Sequence, residues 1–138
     1  MFFRLDNICS VEAGAFEKHH AKYEQYIEPL RKNLWGASIH TEPSLDHIEI
    51  TLHVNENEYF IVDRLNREKR CGAVEQLDES TWRFSADVYD ANEMLPWIRT
   101  FTGRIEKLYC SNGSVTDKFY SDLEEMRKLY GGDENAVQ

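Results

Sequence analysis

The stretch TWRFSADVYDANEMLPWIRTFTGRIEKLYC (Thr81–Cys110) decides the fold, because its apolar period changes twice. Trp82, Phe84, Ala86 and Val88 recur at every second position, the period of a half-buried strand. Met94, Leu95, Ile98 and Phe101 then follow a helical spacing, with Asp90 as an N-cap and Glu93 at capping-box distance from it. Pro96 conflicts with a helix starting at that cap: inside a helix it would remove a hydrogen bond and clash with the carbonyl of Asn92, at ~3 kcal/mol. A tight turn over residues 91–94 and a regular helix from about Leu95 resolve this, since Pro96 then falls in the first turn, where its missing donor costs little. Gly103 is expected to stop the helix in the left-handed conformation, and RIEKLYC to form the next strand.

Upstream, DHIEITLHV places Ile48, Ile50, Leu52 and Val54 on one face of a strand and His47, Glu49, Thr51 and His53 on the other. NENEYFIVDRLNREKR changes to a helical period, with Asn55 as cap, Glu56 and Glu58 in the first turn and Arg67, Lys69 and Arg70 at the end, a charge order that suits the helix dipole. A weaker strand over Ala73 to Leu77 and a polar turn at Asp78, Glu79 and Ser80 make a hairpin with the strand at Trp82. Downstream, Phe119, Leu123, Met126 and Tyr130 mark a final helix closed by Gly131, and residues 132–138 are expected to be a disordered tail. From residue 44 to 131 the order strand, helix, strand, strand, helix, strand plus an extra helix predicts an α+β domain, a ferredoxin-like βαββαβ sandwich with two helices on one face of an antiparallel sheet.

The first 43 residues read differently. FFRLDNICSVEAG alternates at Phe3 and Leu5, as a short stray strand within residues 1–14 that lacks a neighbour in the sequence. Residues 15–43 read as a helical segment from Phe16, which Pro29 is expected to end or kink near Glu28, and a linker with Gly36 and Pro43. Trp35 in that linker is a candidate anchor against a second domain or subunit, and Trp97 a core or interface anchor.

The 138 residues suit one ordinary domain with a peripheral segment. A formal net charge of −9 repels phosphate and anionic membrane on average, so any nucleic-acid contact would need a local patch. The most basic segment, Arg64, Arg67, Lys69 and Arg70, is the candidate for nucleic acid or an acidic partner, against the plainer reading of solvated helix-end cations. Cys9, Cys71 and Cys110, odd in number and widely spaced, read as reduced thiols, and no stretch has the length of a membrane span; a cytoplasmic protein is expected. His20 and Glu24 lie one helical turn apart beside His19, but with no third ligand at comparable spacing a solvated helix face is expected and no metal. No Ser-His-Asp order, nucleophile elbow, phosphate-cradling glycine loop or apolar pair of carboxylates stands out, so neither an enzyme nor a cofactor is expected.

Three stretches resemble the C-terminal extension of WYL-domain transcriptional regulators. These are the Asp63-Arg64-Leu65 step in the first helix, the run Trp97, Ile98, Phe101, Gly103, and the closing EEMRKLYGG. FFRLDNI is similar to the last strand of the WYL domain itself; Asn7, Lys107 and Cys110 depart from the pattern. The resemblance implies a C-terminal piece of a bacterial regulator that forms homodimers and transmits effector binding to a DNA-binding domain absent from this chain. It also implies a nucleotide or nucleic-acid effector, with Arg4 and Arg64 as candidate ligand contacts. The alternative is a free-standing ferredoxin-like module that binds a ligand or nucleic acid on its open sheet face. That face, with Glu49, Thr51, Arg83, Ser85 and Asp87, reads as solvated and rather acidic.

Overall fold

The computed structural model describes residues 4–15, 21–39 and 44–132. Helix α1 (Ala21–Asn33) precedes the order β1 (Asp46–His53), α2 (Phe60–Glu68), β2 (Ala73–Gln76), β3 (Thr81–Val88), α3 (Leu95–Arg99), β4 (Ile105–Cys110) and α4 (Gly113–Tyr130). The chain is thus an α+β structure around a four-stranded sheet in the order β2-β3-β1-β4, with every neighbouring pair antiparallel. Ile50 sits opposite Phe84 on one side and Leu108 on the other, so the two-residue period aligns the apolar sides of three strands in one layer. Between Thr51 and Leu52 the pairing with β4 shifts by one residue, a bulge that leaves Glu106 unopposed.

One continuous core lies on that layer. It joins Ile48, Ile50 and Leu52 of β1, Phe84, Ala86 and Val88 of β3, and Leu108 of β4 to Ile61, Val62 and Leu65 of α2 and to Leu95, Ile98 and Phe101 of α3. Trp82 packs at its edge, partly buried. α4 adds Val115 and Phe119, with Leu123 partly buried against the core; its stripe then continues through Met126 to Tyr130, which is 83% exposed.

The proline problem is solved as the spacing predicts. Residues Ala91–Met94 form a 3₁₀ turn, capped by the Asp90 carboxylate, which accepts from the Asn92 N–H at 3.0 Å, and α3 begins at Leu95 with Pro96 in its first turn. Three other expectations differ. Gly103 does not adopt a positive φ but lies within a 3₁₀ turn, Thr102–Arg104; the chain leaves α3 through Phe101 without needing the left-handed region. The glycine that does need it is Gly72 (φ 86°), where the chain enters β2 and a Cβ would stand 2.4 Å from the Ser85 carbonyl oxygen. Pro29 neither ends nor shortens α1: it deprives only the Gln25 carbonyl of its helical donor, and residues 23–29 are exposed, so water can satisfy that group.

The third difference concerns the stray strand. Residues 4–15 contain a 3₁₀ turn, Leu5–Asn7, and no strand; they are exposed throughout, and an extended segment with nothing to pair has no means of satisfying its backbone except water. The part of that strand at residues 1–3, the helix start at Phe16, His19 and His20, Pro43 and the tail from residue 133 lie outside the described residues.

Candidate functional site

The aromatic residues assemble where α2 and α3 meet the arm that enters from α1. Trp97, in the first half of α3, lies between three rings: Trp35 with centroids 4.8 Å apart, Phe84 at 5.3 Å and Phe101 at 5.2 Å. Edge-on and tilted arrangements of this kind suit the ring quadrupoles. Trp35 is only 6% exposed and also meets Phe84 edge-on at 6.1 Å. The anchor expected to face another domain or subunit is therefore spent inside this chain. The linker composition misled because small polar residues surround a side chain that is itself a core residue.

A polar frame fixes these rings. The Trp97 indole N–H donates to Glu68 Oε2 at 3.0 Å, and Arg64 donates to both oxygens of Glu68 at 2.9 Å. The same guanidinium donates to the Thr100 hydroxyl at 2.9 Å and stacks 4.3 Å above the Phe101 ring. The Arg64 guanidinium, followed by the Trp97 donor, holds the Glu68 carboxyl below the usual carboxylate range, against the opposing effect of its partial burial. Arg64 is thus a buckle between α2 and α3, with one planar fork serving a carboxylate, a hydroxyl and a ring.

The arm is fastened at three further points. Arg70 donates to the Trp35 carbonyl at 2.8 Å. Glu93 accepts from the Ala37 N–H at 3.0 Å, the Ser38 N–H at 2.9 Å and the Ser38 hydroxyl at 2.7 Å; a Cβ on Gly36 would collide with its carboxylate at 2.0 Å. Asn33, at the end of α1, donates from its side chain to the Asp87 carbonyl at 2.8 Å and accepts from the Tyr89 N–H at 3.1 Å. Glu93 therefore straps the incoming arm instead of closing the capping box its spacing suggests.

The remaining predicted contacts do not converge. Arg4 is exposed and pairs with Asp6 at 3.0 Å, two residues away. Of the basic segment, Arg64 and Arg70 make the contacts above, Arg67 is exposed and Lys69 is half-buried. Sequence reasoning missed Glu68 and Glu93. Glu68 was within reach, at i+4 from Arg64, a spacing that pairs opposite charges on a helix; Glu93 was not, because its partners lie more than fifty residues away in the chain.

The open face of the sheet is polar. His47 lies between two carboxylates, its Nδ1 at 2.8 Å from Asp87 and its Nε2 at 3.1 Å from Glu49, and Arg83 pairs with Glu75 at 2.7 Å. The hydrogen bond to Glu49, then that to Asp87, raises the imidazole above its ordinary pKa. Among the described residues no group of three or more metal-ligating side chains converges, and no helix is long and apolar enough to cross a membrane.

Comparisons of the chain with protein-family models, with curated proteins and with solved structures find no match. Any functional reading therefore rests on the residues themselves.

Proposed function

We propose that this chain is a non-catalytic regulatory module, a ferredoxin-like C-terminal extension of the kind found in WYL-type bacterial transcriptional regulators, acting in the cytoplasm. The strand order β2-β3-β1-β4 with α2 and α3 on one face supports the ferredoxin-like reading. The observation that carries the functional reading is Trp35. A side chain from outside the βαββαβ unit is built into the junction of its two helices, so a displacement of α1 is passed to Trp97, Glu68 and Arg64 rather than absorbed by a slack linker. In this role the module receives an effector-dependent movement upstream and transmits it toward a DNA-binding domain carried by the parent regulator. Homodimer formation belongs to the same reading: Tyr26 in the middle of α1 and Leu129 at the end of α4 are exposed apolar surface that a monomer leaves open.

The test is DNA binding by the full-length regulator at a fixed salt concentration, with and without Trp35→Ala. The expected result is an unchanged affinity without effector and a loss of most of the effector-induced change. An effector response identical to that of the wild type overturns the reading.

A further inference from the structure

We propose that the exposed end of α4 pairs, antiparallel, with α4 of a second copy of this chain, each Tyr130 entering a small apolar pocket beside the other copy's helix. The inference rests on the homodimer part of the regulatory reading, which it deepens by naming the surface, and is independent of effector transmission. Phe119, Leu123, Met126 and Tyr130 follow one another at steps of four, three and four residues, the seam of a coiled coil. The body of the chain covers only its beginning: Phe119 is 2% exposed and Leu123 half-buried, whereas Met126 is 45% exposed and Leu129, beside the seam, 77%. A stripe that keeps its period after its intramolecular partner ends is surface shaped for another helix.

A pocket of about 190 Å³ opens where that cover stops, lined by Phe119, Leu123 and Met126 and by Arg99, Thr102 and Asp122. It falls short of the ~300–1,000 Å³ of small-molecule sites and suits a single side chain. The Asp122 carboxylate, paired with Arg99, offers an acceptor on its wall, so a tyrosine, apolar in body and polar at its tip, matches it.

A second copy is the occupant because the stripe is complementary to itself. With Leu123 opposite Met126 of the second copy in an antiparallel pair, Tyr130 stands opposite Phe119, over the pocket. Such a pair sets each flank of the seam against its own counterpart. Arg127 then lies beside Tyr120 of the second copy, a cation near an aromatic ring, and Asp122 beside Leu129, so no like charges meet across these positions. Behind the seam, Glu124 pairs with Arg127 and Lys128 within one helix. A parallel pair would set Phe119 beside Phe119, both already buried, and leave the pockets empty. The tail beyond Gly132, DENAVQ, has only Ala136 and Val137 as apolar residues and is too polar to cover the stripe.

Sedimentation equilibrium of the full chain is the test. A reversible dimer is expected, with a Kd of roughly tens to hundreds of micromolar, because so short a helical contact lies at the weak end of interfaces. Tyr130→Ala and Leu129→Glu are each expected to weaken it at least about tenfold at an unchanged melting temperature, since both side chains are exposed in the monomer. In a mixture of ¹³C-labelled and unlabelled chains, isotope-filtered NOEs are expected from the Tyr130 ring of one copy to the Leu123 methyls of the other. A chain that stays monomeric up to about 1 mM overturns the proposal together with the homodimer on which it rests. A dimer that both variants leave intact, or one without those NOEs, overturns the proposal alone.

Discussion

The two faces of the sheet use the same four strands differently. The covered face is a continuous apolar layer locked by the Trp35, Phe84, Trp97 and Phe101 rings and by the frame of Arg64 and Glu68. The open face carries His47, Glu49, Arg83 and Asp87 as side-chain pairs in contact with water. An alternating strand builds both at once, since each step along β1 or β3 changes face. The difference teaches where the free energy resides: dry contact area scales with the surface removed from water, whereas exposed ion pairs are each worth ~0–1 kcal/mol.

Truncation experiments should expose this contrast, and the largest effect belongs to the covered face. Trp97→Ala is expected to destabilise by about 3 kcal/mol in urea denaturation, whereas Thr51→Ala on the open face should change stability by no more than about 0.5 kcal/mol. Equal losses at the two positions would erase the distinction. Glu68→Ala is expected to cost about 1–3 kcal/mol, because it leaves both the Trp97 indole and the Arg64 guanidinium without their acceptor in half-buried positions. Glu93→Ala should cost about 1 kcal/mol and act locally, with faster amide hydrogen exchange at Ala37 and Ser38 and unchanged exchange in β1.

The smallest effect lies on the open face and depends on pH. The pKa of His47 is raised above 6.5 in the folded chain by Glu49 and then Asp87, so its contribution is complete below that value and is lost as pH rises through the folded value. Wild-type melting temperature should therefore decline from pH 6 toward pH 8.5 by more than that of His47→Gln. Parallel curves for the two proteins would remove His47 from the account.

The βαββαβ body was legible because its signals are local. The periods of two and 3.6 residues assigned each strand and helix, and the steric demand of Pro96 alone placed the start of α3 within a residue. The N-terminal third was less legible because its structure is decided at long range. Trp35 reads as a linker residue until Phe84 and Trp97 are brought beside it, and the role of Glu93 as a strap depends on backbone donors in a distant segment. Arg64 reads in the sequence as a candidate ligand contact or an ordinary helix salt bridge; its partners in space, Glu68, Thr100 and Phe101, make it a buckle between two helices, and an arginine on a helix does not by itself distinguish these roles.

The claim on which the regulatory reading turns is that the arm and the two-helix layer are one mechanical unit joined through Trp35. A double-mutant cycle between Trp35→Ala and Trp97→Ala, read by equilibrium urea denaturation, measures that joint directly. A coupling of about 0.5–1.5 kcal/mol is predicted from the ring contact; additive losses, with a coupling near zero, would mean that the arm rests on the body without being keyed to it.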